Sequence, residues 1–166
     1  MEIGHISNRY LVRRLGEGDI PKVLSLCLGN PLYYEHCPPP PTLESVRADM
    51  SALPPKKEAR DKYYLGFFDG EVLVAVLDLI LGYPDDKTAF IGFFMTEASL
   101  QHAGLGSGIV GRLCGFLKAE GFSRVRLGFV SDNPQSEGFW RRNGFIPTGE
   151  TYKTDLFTVA VAERRL

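Results

Sequence analysis

The sequence predicts one mixed α/β domain, in which a central sheet carries helices on its faces. Two observations lead to this fold class. First, residues 63–81 and 89–96 are rich in aromatic and β-branched side chains, which predicts three consecutive strands. Second, apolar residues at helical spacing then alternate with strand patterns, in the order helix, strand, helix and two final strands. A meander followed by helical crossovers is typical of a mixed sheet.

The N-terminal part is predicted to hold a short strand and a helix. Residues Tyr10 to Arg13 form the strand. The stretch Gly18-Asp19-Ile20-Pro21 begins a helix that ends near Leu28, since proline is favoured in a first helical turn. Residues 31–41 (PLYYEHCPPPP) are predicted to lack regular structure, because consecutive prolines have no N–H donor and force extended backbone.

Capping and turn residues define the remaining elements. Thr42 is expected to cap a helix over about residues 43–52. The pair Asp69-Gly70 predicts a hairpin, and Gly121 ends a long helix over about residues 104–120. The other predicted elements are a strand at Arg124–Val130, a helix at Pro134–Arg142 and strands at Phe145–Tyr152 and Leu156–Ala162.

Composition argues against several classes of function. A formal net charge of −1 gives no overall attraction to nucleic acid or an anionic membrane. No apolar run approaches the roughly 20 residues that span a bilayer, and residues 1–15 do not resemble a signal peptide. The 3 cysteines form no CxxC pair, which suits a reducing compartment. We expect a single domain over residues 1–166, in the cytoplasm, with no nucleic-acid or membrane partner and no metal site.

The segment Gln101-His102-Ala103-Gly104-Leu105-Gly106-Ser107 lies between a predicted strand and a predicted helix. A helix start leaves several backbone N–H groups unpaired and carries partial positive charge. Without side chains at Gly104 and Gly106, an anion can approach these donors closely. Glycines inside a helix each cost up to about 1 kcal/mol relative to alanine, so a compensating use is expected. The segment therefore predicts an anion site.

The same glycines allow a second interpretation. Residues 106–111 formally match GxGxxG, with Asp132 further along the chain. The dinucleotide fingerprint places its glycines directly after a strand, whereas residues 97–103 intervene here. The P-loop pattern is also missing, because no Gly-Lys-Ser/Thr follows. An NAD(P)-binding enzyme stays open as an alternative, although the context does not favour it.

Residues 101–106 resemble the acetyl-coenzyme A loop of the GNAT family of N-acetyltransferases. The family pattern Gln/Arg-x-x-Gly-x-Gly/Ala is present as Gln101, Gly104 and Gly106. A second family element, an asparagine with an aromatic residue seven positions later and then Gly-Phe, is present as Asn133, Trp140 and Gly144-Phe145. The resemblance extends from about Tyr10 to Leu166. It implies a mixed, mostly antiparallel sheet of about six to seven strands with helices on both faces.

The resemblance also implies a cofactor, acetyl-coenzyme A. The strand before the loop would pair with the pantetheine arm, and the loop amides would hold the diphosphate. Backbone N–H groups of Phe94 or Met95 would stabilise the developing oxyanion. Asn133 would meet the pantetheine or the thioester. The residues expected to bind the cofactor are Phe94, Met95, Thr96, Gln101, His102, Ala103, Gly104, Leu105, Gly106, Ser107, Asn133, Ser136, Phe139 and Trp140.

The expected acid and base depart from the family pattern. Acetyl transfer to an amine requires that the ammonium first lose a proton. The family often places a glutamate base at the positions of Phe90 or Gly128, and a tyrosine acid at Trp140. Neither Phe90 nor Gly128 can act as the base, and the indole of Trp140 cannot replace the tyrosine as the acid. Asp78, in the apolar run LVAVLDLIL, and Glu97 are the remaining candidates for the base. A mechanism without a protein base also stays open.

The resemblance implies that the first two helices and their connection build the acceptor side, which would place Tyr33, Tyr34 and His36 there. Aromatic groups at these positions would suit a cationic amine. The sequence thus predicts transfer of an acetyl group from acetyl-coenzyme A to a primary amine of a small molecule or peptide. The missing glutamate and tyrosine favour an alternative, a noncatalytic acyl-coenzyme A sensor. The edges of the sheet would also allow a homodimer.

Overall fold

The computed structural model describes residues 2–166 and contains a seven-stranded sheet with the order β1-β2-β3-β4-β5-β7-β6. Every neighbouring pair is antiparallel except β4 and β5, which are parallel. The predicted mixed, mostly antiparallel sheet is therefore confirmed. The strands are β1 (Leu11–Arg14), β2 (Lys62–Asp69), β3 (Val72–Leu81), β4 (Thr88–Thr96), β5 (Arg124–Val130), β6 (Ile146–Lys153) and β7 (Thr158–Arg165).

Helices cover both faces of the sheet. Most of them begin and end within two residues of the predicted positions. None of the helices among residues 2–166 is both long and apolar enough to cross a membrane. The helices are α1 (Ile20–Leu28), α2 (Pro31–His36), α3 (Leu43–Ser51), α4 (Leu105–Ala119) and α5 (Pro134–Arg142).

The prediction that residues 31–41 lack regular structure is wrong for its first half, because residues 31–36 form α2. Pro31 occupies the first turn, where its fixed φ suits a helix and its missing N–H has no intrahelical partner to lose. The Cys37 N–H donates to the Tyr33 carbonyl at 3.0 Å, which closes the last turn. The consecutive prolines begin only after Cys37, so they end the helix rather than prevent it.

Two apolar cores lie on opposite faces of the sheet, because successive strand residues point to opposite sides. On β3, Leu77 belongs to the core that α4 and α5 complete with Leu113 and Trp140. Its neighbour Val76 belongs to the core that α1 and α3 complete, with Val23 and Val46. The sheet thus separates the two helical layers.

The two parallel strands at the centre of the sheet diverge. Backbone pairing joins β4 to β5 only from Thr88 to Ile91. Beyond Ile91, β4 continues along β3 as far as Thr96, while β5 continues along β7 as far as Val130. The register of β3 against β4 also shifts between Asp78 and Leu79. A V-shaped gap therefore opens at the carboxyl ends of β4 and β5.

Candidate active site

A cavity of about 850 Å³ lies at the end of β4, where this strand no longer pairs with β5, and extends to the start of α4. This volume lies within the range of about 300–1,000 Å³ that is typical of small-molecule sites. Four segments line it: the junction of α1 and α2 at residues 29–33, the end of β4 at residues 94–96, the loop at residues 98–107, and α5 with the preceding residue at 133–142. Of the predicted cofactor residues, the lining includes all except Ala103 and Leu105.

The start of α4 presents free backbone donors to this cavity. Gly104 is the N-cap residue and has a left-handed backbone with φ 81°, which glycine adopts without steric cost. The Gly108 N–H donates to the Gly104 carbonyl at 2.9 Å, so the amides of residues 105–107 come before the first intrahelical hydrogen bond of α4. Their N–H groups and the helix dipole favour an anion at this position. His102 is a second residue of the loop with a left-handed backbone conformation, with φ 62°.

Gly106 has a packing role that the sequence analysis missed. A Cβ at this position would lie 3.1 Å from the ring of Phe139 and 3.6 Å from that of Phe94. The rings of Phe94 and Phe139 are stacked with centroids 6.0 Å apart. Trp140 meets Phe139 edge to face, with a centroid distance of 4.9 Å. Gly106 therefore lets α5 approach α4 closely and brings an aromatic wall to the cavity.

Gln101 lines the cavity, and its side chain also belongs to a hydrogen-bond network. Its Nε2 donates to Asn30 Oδ1 at 2.6 Å and to the Thr96 carbonyl at 3.4 Å. Asn30 is buried, and its Nδ2 donates to the Leu26 carbonyl at 2.9 Å and to the Thr96 carbonyl at 3.1 Å. The network joins the end of α1, the end of β4 and the glycine loop. Sequence reasoning missed Asn30.

Asn133 is 2% exposed and caps α5. Its Oδ1 accepts a hydrogen bond from the Ser136 N–H at 3.0 Å. The side-chain oxygen is thus engaged in capping, while the residue still lines the cavity. Its backbone N–H donates to the Val130 carbonyl and its carbonyl accepts from the Glu137 N–H, so a cofactor contact proposed for Asn133 would use the side-chain amide nitrogen.

The two predicted base candidates do not line the cavity. Asp78 is 7% exposed, and its Oδ2 accepts from Lys62 Nζ at 2.8 Å. Its Oδ1 has no hydrogen-bond partner among the described residues. Burial raises the pKa of Asp78, and Lys62 opposes that rise. Glu97 caps a short 3-10 turn by accepting from the Ser99 N–H at 3.5 Å. Within residues 2–166, no carboxylate is part of the cavity lining.

The predicted acceptor residues lie on α2 and meet the site differently. Tyr33 lines the cavity and packs edge to face against Phe93, with centroids 6.0 Å apart. Tyr34 packs against Tyr33 at 5.0 Å and is not part of the lining. Burial raises the pKa of both phenols well above its ordinary value, so both stay protonated. The Nδ1 of His36 lies 3.8 Å from Asp132 Oδ1, which links α2 to the turn before α5.

Comparison with known proteins identifies the class of protein that this fold and cavity define. Residues 30–145 match the acetyltransferase (GNAT) family, and the chain belongs to that family. The match includes α2, the diverging strands, the glycine loop and α5. Among curated protein sequences, none matches this chain significantly.

Solved structures with the same fold include several acetyltransferases. An acetyltransferase from Thermus thermophilus has 24% sequence identity and a TM-score of 0.77, with 98% of this chain and 99% of that chain covered. The PaiA N-acetyltransferase from Thermoplasma acidophilum, solved with coenzyme A, has 16% identity and a TM-score of 0.69, with 95% and 99% covered. An acetyltransferase from Salmonella typhimurium that modifies the N-terminal serine of ribosomal protein L7/L12 has 19% identity and a TM-score of 0.73, with 97% of each chain covered.

Proposed function

We propose that this protein transfers an acetyl group from acetyl-coenzyme A to a primary amine of a small molecule or peptide. One observation carries the proposal: a single cavity joins the gap between β4 and β5 to the free amides at the start of α4. This shape suits a long ligand with an extended arm at one end and an anionic group in the middle. Membership of an acetyltransferase family supplies the chemistry.

The residues present fit coenzyme A. In an antiparallel pair, alternate backbone groups of a strand face away from its partner. On β4 beyond Ile91, such groups point toward the gap that β5 has left, where the amides of a pantetheine arm can pair with them. The amides of residues 105–107 would hold the diphosphate, as the sequence analysis expects. Bound acetyl-coenzyme A would supply an activated thioester.

Backbone donors on β4 would assist the acyl transfer. A neutral amine would displace the thiol from the acetyl group: a C–N bond would form, the C–S bond would break, and the proton lost by the amine would pass to the coenzyme A thiolate. A developing oxyanion needs a fixed donor, which a free N–H of Phe94 or Met95 would provide. The protonated phenol of Tyr33, which lines the cavity, can donate a hydrogen bond to a nearby anionic group.

The lining favours an acceptor that loses its proton to water. Since the described cavity walls hold no carboxylate, a carboxylate base would have to act from outside them. Asp78 and Glu97 remain proposals for that role. If Asp78 is the base, Asp78→Asn should lower turnover at neutral pH and leave cofactor affinity unchanged. Full activity of that variant would exclude it.

Turnover with a panel of amines tests the function. Thiol release from acetyl-coenzyme A would be followed with peptides, polyamines and amino acids, and each product would be identified by mass. Neighbours in fold that act on a ribosomal protein N-terminus make unblocked peptides the first candidates. We expect one amine class to be acetylated. Binding of acetyl-coenzyme A without turnover of any amine would instead support the noncatalytic sensor, which the lack of a tyrosine at Trp140 favours.

A pair of variants tests whether the start of α4 holds the diphosphate. Gly106→Asp would place a carboxylate in the anion site and should abolish binding of acetyl-coenzyme A. Gly115→Asp adds the same charge further along α4, where a side chain meets nothing within 4 Å, and serves as the control. Unchanged affinity in Gly106→Asp would remove the assignment of the loop. Titration with NAD tests the remaining alternative, which the antiparallel meander before β4 does not favour.

A further inference from the structure

Two adjacent arginines at the end of α5 have different surroundings. Arg141 Nε donates to Glu137 Oε1 at 2.8 Å, one turn earlier on the same helix. Arg142 lines the cavity, and its guanidinium forms no ion pair or hydrogen bond with any other described residue. A cation in the last turn of a helix interacts favourably with the helix dipole, but this applies equally to both arginines. It does not explain why only one of them faces the cavity.

A glycine allows Arg142 to lie along α5. The Nη1 atom of Arg142 is 3.3 Å from the position that a Cβ on Gly138 would take. A Cβ at position 138 would therefore require the guanidinium to shift by a few tenths of an ångström. The residue after Gly138, Phe139, contacts Gly106 at the start of α4.

We propose that Arg142 binds the 3′-phosphate of coenzyme A. This inference rests on the cofactor part of the proposed function, and it is independent of the acceptor. The amides of residues 105–107 account for the diphosphate, and the gap between β4 and β5 accounts for the pantetheine arm. The phosphate that remains is on the ribose, on the other side of the diphosphate from the pantetheine.

The chemistry of Arg142 fits this phosphate. A guanidinium presents paired N–H donors that match the oxygens of a phosphate monoester. The only other basic side chain in the described lining is that of His102, whose loop position places it with the diphosphate donors. Arg142 thus gives the site a means to distinguish coenzyme A from dephospho-coenzyme A.

Calorimetric titration of the whole protein with each of these two ligands tests the assignment. The wild-type protein should bind coenzyme A about tenfold more tightly than dephospho-coenzyme A, as expected for one charge-assisted contact. Arg142→Gln should weaken the binding of coenzyme A by about the same factor and leave the binding of dephospho-coenzyme A unchanged. The two affinities would then become equal. Arg141→Gln removes the neighbouring charge and should retain the wild-type ratio.

Several outcomes would overturn the assignment. Equal weakening of both ligands in Arg142→Gln would place the arginine at the diphosphate or give it only a general electrostatic effect. A wild-type ratio near one, or the same loss in Arg141→Gln, would also exclude it. If the wild-type protein did not bind coenzyme A at all, the proposed function itself would be contradicted. This result differs from failure of the Arg142 assignment, in which coenzyme A still binds.

Discussion

The side chain of Gln101 donates a hydrogen bond to Asn30 Oδ1 at 2.6 Å, across 71 positions of the sequence. Asn30 lies between α1 and α2, and Gln101 lies just before the start of α4. Both side chains also donate to the Thr96 carbonyl at the end of β4. The pair therefore fixes the glycine loop relative to the junction of α1 and α2 and to the strand that borders the gap.

Removal of Asn30 should loosen this junction. Asn30→Ala eliminates two donors and leaves the carbonyls of Leu26 and Thr96 without these partners. We expect the free energy of unfolding to fall by about 1–3 kcal/mol, measured by urea denaturation. The KM for acetyl-coenzyme A should rise severalfold with a smaller change in kcat, because the misplaced loop affects binding.

A double-mutant cycle separates this pair from general destabilisation. Asn30→Ala and Gln101→Ala share one hydrogen bond, so we expect a coupling energy of about 1 kcal/mol. Ser45→Ala serves as a comparison, since Ser45 contacts Thr42 at the exposed start of α3 and lies outside the cavity lining. Additive effects of the two variants on cofactor affinity would show that the bond does not position the loop.

The buried ion pair between Lys62 and Asp78 should be sensitive to loss of one partner. Lys62→Met leaves a buried carboxylate without its cation, which costs about 3–5 kcal/mol in typical cases. The double variant Lys62→Met, Asp78→Leu replaces both charges by apolar groups and should recover most of that loss. Urea denaturation of both variants measures the difference. If Lys62→Met were as stable as wild type, the ion pair would not be buried as the structure shows.

Replacement of two glycines on α4 by alanine should have different effects on stability and on cofactor affinity. Gly115→Ala adds a methyl group where nothing lies within 4 Å, so it should raise the free energy of unfolding by up to about 1 kcal/mol. Gly106→Ala places a Cβ 3.1 Å from Phe139, and the ring must move. We expect weaker binding of acetyl-coenzyme A in Gly106→Ala alone. Equal affinity of the two variants would show that the contact with Phe139 is not needed.

The sequence predicted the sheet because its signals are local. The hairpin at Asp69-Gly70 and the apolar runs of β3 and β4 specify strands without long-range information. The start of α4 was predictable for the same reason, since glycines and a helix terminus together create an anion site. α2 was missed because the consecutive prolines after Cys37 argued against a helix in the whole segment. The helix begins at Pro31, before those prolines.

The parts of the site that sequence reasoning missed depend on contacts between distant segments. No local pattern brings Asn30 to Gln101 or Phe139 to Gly106. Asp78 showed the converse problem, because a carboxylate in an apolar strand indicates either a functional group or a buried ion pair. Its partner Lys62 lies 16 residues earlier on β2, and only the fold reveals that partner.

The carboxyl group of Asp19 should make stability depend on pH. It accepts from Arg13 Nη1 and Nη2 at 2.8 and 2.7 Å and from the Gly16 N–H at 2.9 Å. Arg13 above all, with the Gly16 N–H, lowers its pKa to about 2, against the opposing effect of burial. Because the folded pKa lies below the unfolded value of about 3.9, the group stabilises the protein above that value. This contribution is lost as the pH falls from about 4 to about 2.

Asp19→Asn should therefore be less stable than wild type at neutral pH and nearly equal to it at about pH 2. We expect a difference of about 1 kcal/mol at neutral pH, since Arg13 is partly exposed and solvent screens the pair. Urea denaturation at several pH values measures it. Glu17→Gln serves as the control, because Glu17 and its partner Arg47 are both largely exposed and their ion pair contributes little. A difference between Asp19→Asn and wild type that stayed constant down to about pH 2 would show that the ionised carboxylate is not its source.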